Sequence, residues 1–194
     1  MKTIKKIVLV VVFMLGTLTN YANSLENYST ELDAKKVRII FKNVKKGHLL
    51  TVKNQAGNVL HSEKIERKGI LKKVFDFSYL SNGKYIVELN KDFEIIIKSF
   101  EVKEGLVFYN KNAEKVIFKP VIKNDKNYLL ISKLNLDNEP VEVTLYYENT
   151  VIYTEILKGS EILERVYKFD ERVAGNYKAV ITNNNRTYIK DFKF

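Results

Sequence analysis

Ile70-Leu71-Lys72-Lys73-Val74-Phe75-Asp76-Phe77, followed by Leu80-Ser81-Asn82-Gly83-Lys84-Tyr85, is the stretch that decides the fold, because its template occurs twice. Ile70, Leu71, Val74, Phe77, Gly83, Tyr85 and Phe100 recur 92 positions later as Ile162, Leu163, Val166, Phe169, Gly175, Tyr177 and Phe192. A repeat of this period, built from short alternating apolar runs, predicts two small domains of one kind in tandem rather than one large core.

Outward from that template, alternation predicts strands throughout. From Pro140 the chain runs Val141-Glu142-Val143-Thr144-Leu145-Tyr146, apolar at every second position, and the 3.6 period of a helix is absent. The tight Glu148-Asn149 turn leads into Val151-Ile152-Tyr153-Thr154-Glu155-Ile156. Counting back from it sets Leu145 opposite Ile152 and Val143 opposite Thr154. The first copy makes the same hairpin through Asn54-Gln55-Ala56-Gly57-Asn58, a turn one residue longer. The same counting there sets Thr51 opposite His61 and His48 opposite Lys64. The second copy contains seven runs, near 114–122, 128–134, 141–147, 151–157, 162–169, 176–182 and 187–194. The first contains six, near 36–42, 48–53, 59–65, 71–77, 84–90 and 93–102, with a weak seventh near 25–28. Seven short strands per copy predict two-sheet sandwiches. Pro120 falls in the first strand of its copy, a position that predicts a sheet edge.

Gly83-Lys84-Tyr85 and Gly175-Asn176-Tyr177 sharpen this reading, each placing a glycine two residues before a tyrosine at a strand start. Immunoglobulin-like and fibronectin type III-like sandwiches put a tyrosine at such a corner, its ring buried and its hydroxyl bonded back to the loop backbone. Gly83, Tyr85, Gly175 and Tyr177 are therefore read as structural. With Val52 to Leu60 and the Phe75-Asp76-Phe77 run, these motifs resemble small exported sandwich proteins of Bacteroidota. They are also similar to the C-terminal sorting domain of type IX secretion. The resemblance implies fold rather than activity, and it covers residues 25–194 with no cargo domain beside it.

The first 24 residues read as an export leader. Lys2, Lys5 and Lys6 precede an apolar run from Ile7 to Leu15, and Ala22-Asn23-Ser24 supplies small residues for cleavage before Leu25. The apolar run is about half the ~20 residues that span a bilayer. The domains then read as 25–103 and 115–194, with 104–114 as a linker or interface strand. Its Leu106-Val107-Phe108-Tyr109 run suggests pairing with a sheet edge. No cysteine occurs in the chain, so neither disulfides nor a lipid-modified cysteine contribute.

Charge is a weaker guide. The chain carries 33 basic and 23 acidic residues, a net charge of +10. Losing Lys2, Lys5 and Lys6 leaves 30 basic residues. The densest basic stretch, Lys64, Arg67, Lys68, Lys72 and Lys73, is interrupted by Glu63 and Glu66 and reads as a solvated loop. An anionic glycan or lipid headgroup is its other reading, and export argues against nucleic acid.

Catalysis finds few residues. His48 and His61 share a hairpin without facing each other, no metal-ligand spacing exists, and no Gly-x-Ser-x-Gly elbow is present. Asp125 and Asp137-Asn138-Glu139 lie in loops without the dense ligand series of a calcium site. No catalytic residue, cofactor or metal follows. Asn27-Tyr28-Ser29 and Asn185-Arg186-Thr187 match the glycosylation triplet and receive no role. What remains is aromatic: alternation sends Tyr146, Val151 and Tyr153 outward together as one exposed strip. The residues thus point to a non-enzymatic exported protein, periplasmic, surface-bound or secreted, that binds a protein through edge strands or this strip. Carbohydrate binding and secretion sorting are the alternatives. Partner identity, final compartment and oligomeric state are not written in these residues.

Overall fold

The computed structural model describes residues 36–159 and 161–193, so the leader and the weak strand near 25–28 lie outside the described residues. Contacts divide the chain into two units, residues up to Lys91 with Ile96–Val116, and Asp92–Ile95 with the chain from Ile117.

In the first unit the strands are β1 (Lys36–Val44), β2 (Leu49–Asn54), β3 (Val59–Lys64), β4 (Gly69–Asp76), β5 (Gly83–Asn90), β6 (Glu94–Lys103) from Ile96 onward and the opening of β7 (Leu106–Phe118). They form one sheet of order β1-β4 and another of order β3-β2-β5-β6-β7. Burial follows the alternation: Val37, Ile39 and Phe41 of β1 meet Leu50, Val52, Val87 and Leu89 of the second sheet in one core. Leu106-Val107-Phe108-Tyr109 opens β7, hydrogen-bonded to β6, with Val107 and Tyr109 in that core.

The second unit holds β8 (Val121–Asp125), β9 (Tyr128–Leu134), β10 (Val141–Tyr147), β11 (Thr150–Leu157), β12 (Ile162–Lys168), β13 (Asn176–Asn183) and β14 (Arg186–Lys193). Its sheets are β12-β9-β8 and β11-β10-β13-β14. Leu129, Ile131 and Leu163 of the smaller sheet pack on Val143, Leu145, Ala179 and Ile181 of the larger. β11 joins β10 rather than β12, so the smaller sheet has three strands and the larger four. In the immunoglobulin constant arrangement the extra strand sits on the other sheet. The chain is all-β, two tandem sandwiches of the immunoglobulin and fibronectin III kind. One strand differs from the sequence reading. Pro120 does not lie inside a strand; it separates β7 from β8, because a residue with no N–H and a fixed φ interrupts the ladder.

The corner is built alike in both units. Tyr85 donates its hydroxyl to Ser81 O at 2.8 Å, and Tyr177 donates to Val173 O at 2.8 Å, each four residues back. Tyr85 stacks on Phe100 at 5.4 Å and Tyr177 on Phe192 at 5.7 Å, while Phe77 and Phe169 complete each aromatic cluster. Such pairs add roughly 0.5–1.5 kcal/mol beyond the area they bury. The repeat extends to the outer surface as well: Ile70, Val74, Ile162 and Val166 are 61%, 57%, 59% and 60% exposed.

Candidate functional site

The candidate surface is the β10–β11 hairpin, whose geometry starts at its turn. Glu148 and Asn149 take φ of 45° and 68°, the two positive dihedrals of a tight turn matched to the strand twist. Asn176 donates its backbone N–H to Glu148 Oε1 at 2.8 Å and its side-chain amide at 3.0 Å. Those bonds hold the Glu148 carboxyl below its usual range. Gly175 is required beside it, because a Cβ there would sit 2.5 Å from Tyr147 Cε2.

Beyond the turn, Tyr146 pairs with Val151 as counted, but a bulge then inserts Ile152 and sets Leu145 opposite Tyr153 and Val143 opposite Glu155. A one-residue slip moves each following side chain to the opposite face. The expected Leu145–Ile152 and Val143–Thr154 pairs are therefore incorrect. Tyr153 lies on the inward side, its ring 5.8 Å from Tyr167 in an edge-on contact. Tyr146 and Val151 share the outer face, where Lys178 Nζ lies 5.4 Å from the centre of the Tyr146 ring. The strip of Tyr146, Val151 and Tyr153 is thus split between two faces.

The first unit carries the same bulge at the same place. Lys53 pairs with Val59, Leu60 is inserted, and His61 falls opposite Val52 while Thr51 meets Ser62. The counted Thr51–His61 pair is shifted by one residue for the same reason, and His48 precedes the start of β2.

The two inserted residues bring together a clasp across the open side of each sandwich. In the second unit Arg165 donates to Glu155 Oε1 at 2.9 Å and Tyr167 donates to Glu155 Oε2 at 3.0 Å. Glu155 raises the Arg165 pKa, and burial pushes the Tyr167 hydroxyl up strongly. In the first unit Lys73 donates to Glu63 Oε2 at 2.7 Å, and His61 stands edge-on to Phe75 at 6.2 Å. The Lys73 hydrogen bond holds the Glu63 carboxyl below its ordinary value. Leu60, His61, Phe75, Phe77 and Leu80 border a shallow groove of about 330 Å³ there. The sequence reading missed this clasp. Its signal was the same 92-residue spacing, which relates His61 to Tyr153, Glu63 to Glu155, Lys73 to Arg165 and Phe75 to Tyr167.

The clasp leaves β11 as an edge strand with large apolar side chains in the open. Val151, Ile152, Tyr153 and Ile156 are 52%, 48%, 46% and 57% exposed, and the strand contains neither lysine nor proline. The remaining polar candidates are tied into loops. His48 is buried, its Nδ1 accepting from the Lys45 backbone at 3.1 Å, and Asp137 accepts from Asn184 at 2.6 Å. Among the described residues no three His, Cys, Asp or Glu side chains are grouped to hold a metal ion. None of those residues forms a helix long and apolar enough to cross a membrane.

Fold and surface together define a tandem immunoglobulin-like module with exposed sheet edges. No family model and no curated protein matches the chain. Among solved structures, the human OSCAR ligand-binding domain is similar to it at 9% identity, covering 83% of this chain and 90% of that one, with a TM-score of 0.24. The fold described above rests on strand order and core packing.

Proposed function

We propose that this chain is an exported, non-enzymatic binding protein that docks another protein along the edge of β11. The observation that carries the reading is the composition of that edge. Native sheets protect free edges with lysine, proline, bulges or inward charge. β11 has the bulge at Ile152 and the inward Glu155 but no lysine or proline, and it still offers four exposed apolar side chains over eight residues. An extended partner strand would gain main-chain hydrogen bonds along such an edge and specificity from alternate side chains. The leader-like first 24 residues support export. The carbohydrate reading has less behind it, since sugar stacking wants open aromatic faces side by side, whereas Tyr153 meets Tyr167 and Tyr146 meets Lys178.

A photo-crosslinking side chain at Val151 or Ile156, used in the protein's own cells, tests this. A discrete crosslinked protein that disappears with Ile152→Lys is the expected result. The same adduct from the matching Val59 of β3, or no discrete adduct at all, would count against the β11 edge.

A further inference from the structure

The outer face of the β1–β4 sheet is unlike its counterpart in the second sandwich. Register places Lys36 beside Asp76, Arg38 beside Val74 and Ile40 beside Lys72. Lys42 follows by alternation on β1, and Ile70 on β4. The matching positions of β9 are Tyr128, Leu130, Ser132 and Leu134, on a strand whose partner is registered in the same way. The repeat thus keeps the face exposed in both units but writes it apolar in one and cationic in the other.

On that first face Lys36, Arg38, Lys42 and Lys72 stand against one carboxylate, Asp76, which lies 4.0 Å from Lys36. Between the cations lie exposed aliphatic side chains, with Ile40 at 42%, Val74 at 57% and Ile70 at 61% exposure. On a pleated face of this kind like-facing residues lie about 7 Å apart along each strand.

We propose that this face rests on an anionic lipid surface. Cations alone would suit any polyanion, and the interleaved aliphatics decide between occupants. Phosphate or carboxylate groups on a soluble polymer gain little from Ile40, Val74 and Ile70. At a bilayer the same residues reach the boundary between headgroups and acyl chains while the lysines and arginine meet lipid charges. Each such cation near an anionic membrane strengthens binding roughly fivefold. The inference is independent of the protein-docking reading of β11.

The test uses the chain from Leu25 onward, which retains every described strand but cannot insert the apolar run of residues 7–15. Co-sedimentation is measured with phosphatidylglycerol–phosphatidylcholine vesicles and with pure phosphatidylcholine vesicles. The expected result is binding to the first only, lost at about 1 M salt, where charge attraction reaches only ~3 Å. Arg38→Glu with Lys72→Glu lowers that affinity by at least about 25-fold. Val74→Asp weakens it as well, with thermal unfolding checked to show that the fold survives. Leu130→Glu on the matching second-unit face leaves it unchanged. Equal binding to both vesicle types, or insensitivity to the charge reversals, would overturn the proposal. So would binding to soluble dextran sulfate that Val74→Asp leaves intact while vesicles fail to bind, since the occupant would then be a polyanionic glycan.

Discussion

In the first sandwich Phe41 fills the core opposite Leu71, while at the matching place in the second Lys133 lies opposite Leu163 and is only 3% exposed. The lysine bonds to Asn135 Oδ1 at 2.9 Å, and Asn135 donates in turn to Glu139 O at 3.0 Å. Elsewhere the interiors agree almost side chain for side chain, down to the tyrosine corner and the inserted residue in the edge hairpin. The outer faces agree only in part, at Ile70 and Val74 with Ile162 and Val166. Lys53 of the first unit pairs with Glu88 at 2.6 Å on the larger sheet, where the second unit sets Tyr146 beside Lys178. One backbone register has therefore been kept while much of the solvent side of each sheet was rewritten. A shared fold with unlike surfaces is how two binding faces can be carried by one design.

The comparison is broken most severely at the aromatic clusters. Phe77→Ala and Phe169→Ala are each expected to destabilise by about 3–5 kcal/mol, read by denaturant unfolding. Both are buried and both contact their unit's second phenylalanine, so similar losses are expected, and a loss confined to one variant would show that the clusters are not equivalent.

The two corner glycines separate strain from crowding. Gly83 and Gly175 have φ of 153° and 158°, but a Cβ at 83 would meet nothing within 4 Å while one at 175 would strike Tyr147 and Glu148. Gly83→Ala is expected to cost about 1 kcal/mol, at the low end of backbone strain. Gly175→Ala is expected to cost about 2–4 kcal/mol, because overpacking is added to strain. Equal thermal shifts would mean that Tyr147 and Glu148 move aside freely.

How much of this was legible follows from what alternation encodes. Twelve of the thirteen clear strand runs reappear as single strands, because a sheet buried on one face must repeat with period two. The run at 114–122 is split at Pro120. The bulge was illegible: Val151, Ile152 and Tyr153 are three large side chains in succession, and alternation alone cannot say which of them is inserted. That uncounted residue misplaced Tyr153 and dispersed the proposed strip. Lys133 hid differently. Tyr128 to Ile131 are apolar at both parities, so the run does not say which face Lys133 takes, and a lone lysine is normally solvated. Glu155 and Arg165 were visible but look like ordinary surface charges until the hairpin turns them toward each other.

The core lysine gives the next largest effect, with a definite dependence on pH. Burial lowers the Lys133 pKa from 10.5, and the Asp137 charge opposes that shift only in part. The folded state thus disfavours the ammonium. The penalty is complete below the folded pKa, shrinks as pH rises through it, and vanishes above the unfolded value of 10.5. Lys133→Met is expected to stabilise by about 1–2 kcal/mol at neutral pH, as replacement of buried charge by an apolar side chain often does. Its advantage should fall as the pH of the unfolding measurement approaches the lysine range. A destabilised variant at neutral pH would mean that the bond to Asn135 outweighs the cost of burying the charge.

The smallest effect tests where the two units agree best. Tyr85→Phe and Tyr177→Phe each remove one hydroxyl and leave the ring in its stack, so the change isolates the bond to Ser81 O or Val173 O. A single hydrogen bond of this kind contributes about 1 kcal/mol net. Burial raises the Tyr177 pKa further from neutrality, so its hydroxyl keeps its proton and the loss should not change with pH over the neutral range. Equal losses in chemical unfolding would show that the corner acts in the same way in both sandwiches. A larger loss at Tyr177 would instead mean that its hydroxyl bond is the better shielded from water, by the Tyr147 ring 5.0 Å from that of Tyr177, for which the first unit has Asn54 at the matching position.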